Sequence, residues 1–390
     1  MFKLFTSTNS LRNLLSASLL GSIIFSMPAQ AIETPAREAI MIDMQTGTVM
    51  LDKNGDVSMP PASMSKLMTT YMLFEELQNG SISLDDTFRV SENAWRKGGA
   101  KSGSSTMFLL PGKRVRIEDL IRGIVVQSGN DASIVVAEGL AGSEEAFARR
   151  MTAKALELGM TGSTFTNATG WPDPGQRMTA RDLSTLVKST IQNFPEFFHY
   201  YSETEFTYNK IRQPNRNPLL YKGIGADGMK TGHTQESGYG LTGTAIRKNR
   251  RLILVVNGLE SKKQRAKESE RLIDWGFREF NNYQLFKADE QVSKVDVWLG
   301  DKPTINMQID QDILLTMARK DRKEMKVRVK LQGPVPAPIK KGQQVGELII
   351  DVPGRDSLSF PLKATEDVQK LGLVGRLGAA FKYIMWGRSG

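Results

Sequence analysis

Ser63 and Lys66 stand three residues apart in the stretch Pro60-Pro61-Ala62-Ser63-Met64-Ser65-Lys66. At the start of a helix that spacing puts both side chains on one face. A serine hydroxyl is a poor nucleophile at neutral pH and needs a base. A lysine held close, partly desolvated and near a second cation, supplies one. The helix N-terminus favours negative charge developing near Ser63. Ser128-Gly129-Asn130 forms a polar break between two helical stretches. A turn there presents Ser128 for proton relay and Asn130 for holding Lys66 and a substrate amide. Lys230-Thr231-Gly232 offers a positive charge, a hydroxyl and a glycine. Gly232 lets an edge strand approach a substrate closely and bind it through the main chain. Each cluster is weak alone. In this order along one chain they point to acyl transfer through a covalent serine intermediate.

Composition narrows the chemistry further. The chain has 390 residues and no cysteine, which excludes disulfides, thiol nucleophiles and thiolate metal sites. Its two histidines, His199 and His233, are too few for a histidine-rich zinc site, and no cofactor is expected. His199 reads as structural. The formal charge of +10 suits an anionic surface such as a membrane or a wall polymer. No zinc finger or helicase-like loop accompanies it, so nucleic acid is not the expected partner.

The elements that must position these residues follow from patterning. Glu38 to Leu51 reads as a hairpin, and Met64 to Leu77 as a helix ending at Gly80. Residues 118–128 and 131–140 read as helices flanking the Ser128 turn, and 144–158 as another. Tyr239 to Ala245 and Arg251 to Leu259 read as strands around a basic turn, and Ser261 to Phe280 returns to helical periodicity. Beyond Asn281 the runs become short and β-like, clearest at Val295–Leu299, Met325–Leu331 and Glu347–Val352.

The longer strings Pro60 to Thr69, Ser128-Gly129-Asn130-Asp131-Ala132 and Asp227 to Thr234 resemble those of penicillin-binding proteins of the D-alanyl-D-alanine carboxypeptidase type, the peptidase S11 family. The resemblance covers nearly the whole mature chain. It implies an α/β (α+β) serine β-lactamase/transpeptidase-like catalytic domain, a small all-β sandwich domain and an amphipathic C-terminal helix. It further implies that Ser63 attacks the carbonyl between the last two D-alanines of a peptidoglycan pentapeptide, with Lys66 as base. Backbone N–H groups of Ser63 and His233 would form the oxyanion hole. Lys230 and Thr231 would hold the terminal carboxylate or relay protons, with Arg216 of Asn215-Arg216-Asn217 helping to grip it. β-Lactams would acylate the same serine. Where some relatives carry a histidine, this chain has Thr169, which receives no catalytic role. Three alternatives stay open: a β-lactamase using Glu205 and Asn209 in a Glu-x-x-x-Asn pattern, a non-enzymatic wall-binding protein, and an endopeptidase acting on cross-links.

The two ends complete the reading. Residues 1–31 have a positive start, a short apolar stretch and an Ala29-Gln30-Ala31 cleavage pattern, which is a signal peptide. Near the other end Leu373, Leu377, Ala380, Phe381 and Ile384 share a helical face, with Lys370, Arg376 and Lys382 away from its centre. That is the pattern of a helix lying in the plane of an anionic membrane. The expected division is a signal peptide over 1–31, a catalytic domain over 32–281, a β domain over 285–366 and an anchor helix over 367–390. The mature protein would sit on the periplasmic face of the cytoplasmic membrane.

Overall fold

The computed structural model describes residues 32–331 and 334–378. The first apolar run, Glu38–Asp43, is buried along its whole length. A strand buried on both faces has to be a central one. It is β1, and it pairs antiparallel with β2 (Val49–Lys53) on one side. Two short antiparallel pairs follow along the chain, β3 (Thr87–Arg89) with β4 (Arg114–Arg116) and the hairpin of β5 (Glu205–Tyr208) with β6 (Ile211–Pro214). β7 (Ala226–Thr234), β8 (Gly238–Arg247) and β9 (Arg250–Leu259) then complete a five-stranded antiparallel sheet in the order β2-β1-β9-β8-β7. Lys230 falls mid-strand in β7, and β7 is an edge of this sheet.

The helices of this part are α1 (Lys66–Gln78), α2 (Glu92–Gly98), α3 (Ile117–Val125), α4 (Asn130–Ala141), α5 (Glu144–Glu157), α6 (Ala180–Asn193) and α7 (Lys262–Glu279). Alternation along the central strands separates two faces. Ile40, Ile42, Ile253 and Val255 join the main core with side chains from α1, α3, α4, α5 and α6. Met41 and Leu252 turn the other way and meet α7 at Gly276. Most of these helices match the patterning, but α2 and α6 have no counterpart in it. Thr179 caps α6 by accepting from the N–H of Asp182.

Beyond α7 the chain builds a second core around Ile305, Met307, Leu348, Ile350 and Leu362. Its strands are β10 (Phe280–Phe286), β11 (Gln291–Trp298), β12 (Thr304–Gln308), β13 (Ile313–Ala318), β14 (Lys326–Leu331), β15 (Val335–Pro336), β16 (Gln344–Asp351) and β17 (Leu358–Ala364). They form a six-stranded sheet in the order β14-β16-β17-β12-β11-β15 and a β10-β13 ribbon. A mixed α/β part followed by a β part, interrupted only by the short helix α8 (Arg319–Glu324) among its described residues, matches the expected fold class. A buried ion pair ties the two: Arg250 Nε donates to Asp43 at 2.6 Å while Nη1 donates to the carbonyl of Phe280 at 2.6 Å.

The terminal segment differs in detail from its pattern. Helix begins only at residue 373. Val368 is fully buried in the β core and bridges to Ile339, and Lys370 bridges to Gly300. Residues 367–371 therefore belong to the β unit, because Val368 gains more by filling that core than by starting an exposed helix. The expected signal peptide, up to residue 31, and the end of the expected anchor, 379–390, lie outside the described residues.

Candidate active site

The nucleophile turn is a single 3-10 turn, Ala62–Ser65, leading directly into α1. Ala62 holds a positive φ of 47°, a conformation that alanine adopts only under constraint. Strand β7 packs closely against this turn at Gly232. A Cβ there would lie 2.9 Å from the Pro61 carbonyl and 3.2 Å from Ala62 Cβ. Glycine thus lets the edge strand press against the turn that carries Ser63. A second glycine closes the turn from the other side. Gly170 has φ +77°, and any side chain there would overlap the Ala62 carbonyl.

Lys66 is completely buried, and its Nζ lies 3.1 Å from Ser63 Oγ. The same amine donates to the backbone carbonyl of Thr169. Burial, followed by repulsion from Arg216, draws its pKa down to about 7, against an opposing pull from Glu144 and Asp131. Thr169 therefore meets the lysine through its main chain. Its own hydroxyl points back to Asn167 Oδ1 at 2.9 Å. Asn167 organises the loop by accepting from the N–H groups of Thr169, Gly170 and Trp171. Glu144 fastens it through the Ala168 N–H at 3.2 Å.

Ser128 and Asn130 stand at the head of α4. Ser128 has a positive φ of 62°, and both residues are buried. Ser128 Oγ and Asn130 Oδ1 have no hydrogen-bond partner among the described residues. Asn130 Nδ2 donates to Ser104 Oγ at 3.0 Å, and its backbone N–H donates to the Ser105 carbonyl at 2.8 Å. Asp131, fully buried, holds that same segment by accepting from Thr106 Oγ1 and the N–H groups of Met107 and Leu109. Ser105 Oγ in turn accepts from Arg216.

Ser63, Ser128, Arg216, Thr231, Gly232 and His233 line one cavity of about 650 Å³. Lys230, next to Thr231 on β7, is buried, with Nζ 3.2 Å from the Thr231 carbonyl. Burial first, then Lys66, Arg216 and Arg265, lower its pKa well below that of an ordinary lysine. The His233 ring stacks on Tyr239 with centroids 3.9 Å apart. Of the site residues read from the sequence, Ser63, Ser128, Arg216, Thr231, Gly232 and His233 line this cleft, while Lys66, Asn130 and Lys230 are buried next to lining residues in space or along the chain. The described lining of the cleft includes Arg212, Arg216, Lys262 and Arg265 and no carboxylate. Glu205 is instead engaged by Arg212 on the β5-β6 hairpin, and Asn209 donates to the Phe108 carbonyl. That arrangement gives the Glu-x-x-x-Asn reading no deacylating site.

A family model described as D-alanyl-D-alanine carboxypeptidase matches residues 25–261. The chain belongs to this family. A second model, described as the C-terminal domain of penicillin-binding protein 5, matches residues 280–370. The D-alanyl-D-alanine carboxypeptidase DacC of Escherichia coli is 41% identical over 354 residues, covering 89% of this chain and 88% of its own. The crystal structure of penicillin-binding protein 5 from Haemophilus influenzae superposes with a TM-score of 0.74 at 35% identity, covering 88% of this chain and all of that one. Penicillin-binding protein D2 from Listeria monocytogenes, in its ampicillin-bound form, superposes with a TM-score of 0.55 at 30% identity. It covers 64% of this chain and all of that one.

Sequence reasoning missed Ser104, Ser105, Tyr239 and Arg265 in this carboxypeptidase cleft. The serines carried no signal, because Ser-Ser pairs are common in loops. Arg265 did carry one, since it shares the inward stripe of α7 with Glu268, Ser269, Leu272 and Gly276.

Proposed function

We propose that this protein is a serine-type D-Ala-D-Ala carboxypeptidase that removes the terminal D-alanine from peptidoglycan pentapeptide stems through an acyl-enzyme on Ser63. The observation that carries the reading is the buried Lys66 amine, 3.1 Å from Ser63 Oγ in a cleft lined by cations. With a pKa near 7 the amine is partly neutral at working pH. Its N–H donates to the Thr169 carbonyl, which leaves the lone pair free to accept the Ser63 proton. Ser63 attacks the carbonyl between the two D-alanines, and the N–H groups of Ser63 and His233 receive the oxyanion. Ser128 passes the proton to the leaving amine, and Asn130 Oδ1, otherwise unpartnered among the described residues, accepts from a substrate amide. Lys230, Thr231 and Arg216 hold the terminal carboxylate, whose arrival favours the protonated form of Lys230. Water then releases the acyl group, and the product supports cell wall maturation. β-Lactams acylate Ser63 because their strained amide imitates the same bond.

On this reading the chain divides into a signal peptide, a catalytic domain, a β domain and an anchor whose helix starts at residue 373, with export through residues 1–31. No helix among the described residues is long and apolar enough to cross a membrane. Leu373, Val374 and Leu377 are each more than 70% exposed, which supports peripheral attachment of the C-terminal helix to the outer face of the cytoplasmic membrane.

The test is penicillin labelling with mass spectrometry, beside turnover of a D-Ala-D-Ala pentapeptide. The adduct is expected on Ser63. Ser63→Ala should lose both label and turnover with its melting temperature unchanged or higher. A label on another residue of folded protein sinks the assignment.

A further inference from the structure

Glu144 is a half-buried carboxylate whose charge reaches Lys66 and which the chemistry above does not use. It stands in the first turn of α5, which Ser143 caps by accepting from the Ala146 N–H at 3.1 Å. Its Oε1 accepts from the backbone N–H of Ala168 at 3.2 Å. Ala168 and Thr69 are fully buried, and the Ala168 carbonyl accepts from Thr69 Oγ1 at 2.8 Å. Thr69 lies on α1, one turn beyond Lys66. Both polar groups of Ala168 are thus tied, one to α5 and one to the helix that carries the base. The next carbonyl along the chain, that of Thr169, accepts from Lys66 Nζ. The N–H of that same peptide unit, on Gly170, donates to Asn167 Oδ1 at 2.7 Å. A carbonyl polarised through its own N–H is a stronger acceptor. Glu144 from α5 and Asp131 from α4 favour the protonated form of Lys66, and Arg216, from the segment after β6, opposes it. Lys230 on β7 lies close enough for Lys66 to repel it. Glu144 itself faces Lys97 from α2 and Glu138 from α4, with Glu145 beside it.

We propose that Glu144 is a positioning residue for the base, holding the loop that presents the Thr169 carbonyl and keeping a negative charge near the Lys66 amine. The proposal rests on the peptidase reading, in which Lys66 takes the Ser63 proton. Glu144 moves no proton itself. It acts through the backbone from Ala168 to Gly170 and through its field at Lys66. Chemistry separates the two effects. The hydrogen bond needs only an acceptor at the right reach, which glutamine supplies. The field needs a carboxylate, which aspartate supplies, but a side chain one methylene shorter draws its oxygen back from the Ala168 N–H. Either carboxylate suits the N-terminus of α5.

The experiment is acylation by penicillin followed by stopped flow across pH, for the wild type, Glu144→Gln and Glu144→Asp. The wild type is measured first, so that a failure of the peptidase reading shows there as no acylation and sinks both claims together. Glu144→Gln removes the charge that favours protonated Lys66, so its acid limb should move to lower pH. At about pH 6 its rate, as a fraction of its own plateau, should exceed the wild-type fraction about two- to threefold. Glu144→Asp should keep the wild-type limb and lose about tenfold on the plateau, in the acylation step and not in penicillin binding. The plateau of Glu144→Gln should lie above that of Glu144→Asp. The aspartate variant serves as the reporter where the glutamine variant does not fold. A merely structural carboxylate would lower the plateau and melting temperature of both variants with neither limb moved, and that result overturns the proposal. So does a limb for Glu144→Gln at higher pH, or a wild-type plateau for Glu144→Asp.

Discussion

Lys66 is the residue whose chemistry depends most on its surroundings, and its pH behaviour tests the mechanism directly. An ordinary lysine, with a pKa of about 10.4, is neutral in one of about 2,500 molecules at pH 7. At about 7, Lys66 is neutral in roughly half. The buried site thus raises the supply of neutral amine about 1,000-fold, while the lower basicity of that amine takes back part of the gain. The second-order rate of acylation by penicillin should therefore fall about tenfold per unit below about pH 7 and level off above it. Lys66→Arg cannot shed its proton in this range, and acylation should drop by about 1,000-fold or more. Arg216 is the largest charge that depresses Lys66. Arg216→Gln should consequently move the acid limb to higher pH, whatever it does to the plateau. Stopped-flow acylation from about pH 5 to 9 reads both. A wild-type limb above about pH 9, a normal rate for Lys66→Arg, or an unmoved limb for Arg216→Gln refutes the reasoning. A stability consequence follows with a definite sign. Between about pH 7 and 10.4 the unfolded chain keeps the Lys66 proton that the folded one has lost, so stability rises with pH across that window. Lys66→Met should remove part of that rise.

Gly170→Ala should cost about 1–2 kcal/mol from its φ of +77° alone, and more from overlap with the Ala62 carbonyl. Its melting temperature should fall by several degrees and its acylation rate by about tenfold or more, read by calorimetry and penicillin labelling. A chain ending at residue 372 should leave the membrane fraction with peptide turnover intact. A chain ending at 367 should lose stability as well, because it also removes the buried Val368. Membrane sedimentation of the chain ending at 372 would place the anchor elsewhere.

Much of this protein is written locally. Ser63, Lys66, Ser128, Asn130 and Lys230 are legible because side-chain chemistry at fixed spacing leaves a mark in the sequence. The hairpin of β1 and β2, the helices around Ser128 and the strands β8 and β9 are legible for the same reason, since their periodicity is local. Helix α6 is less legible because its buried face mixes Asp182, Ser184 and Thr190 with Leu183, Leu186 and Val187, which blurs the apolar periodicity. The deciding features of the cleft are long-range. Lys66 meets a backbone carbonyl 103 positions away, and every residue type supplies a carbonyl, so Thr169 left no sequence mark for that contact. Arg216 reaches Ser105 across 111 positions. Whether Lys66 is an ordinary surface cation or a base depends on burial and on the cations folded around it, and no spacing of residues records either. The sequence by itself determined which groups could react, and only the tertiary structure decided the protonation that lets them do so.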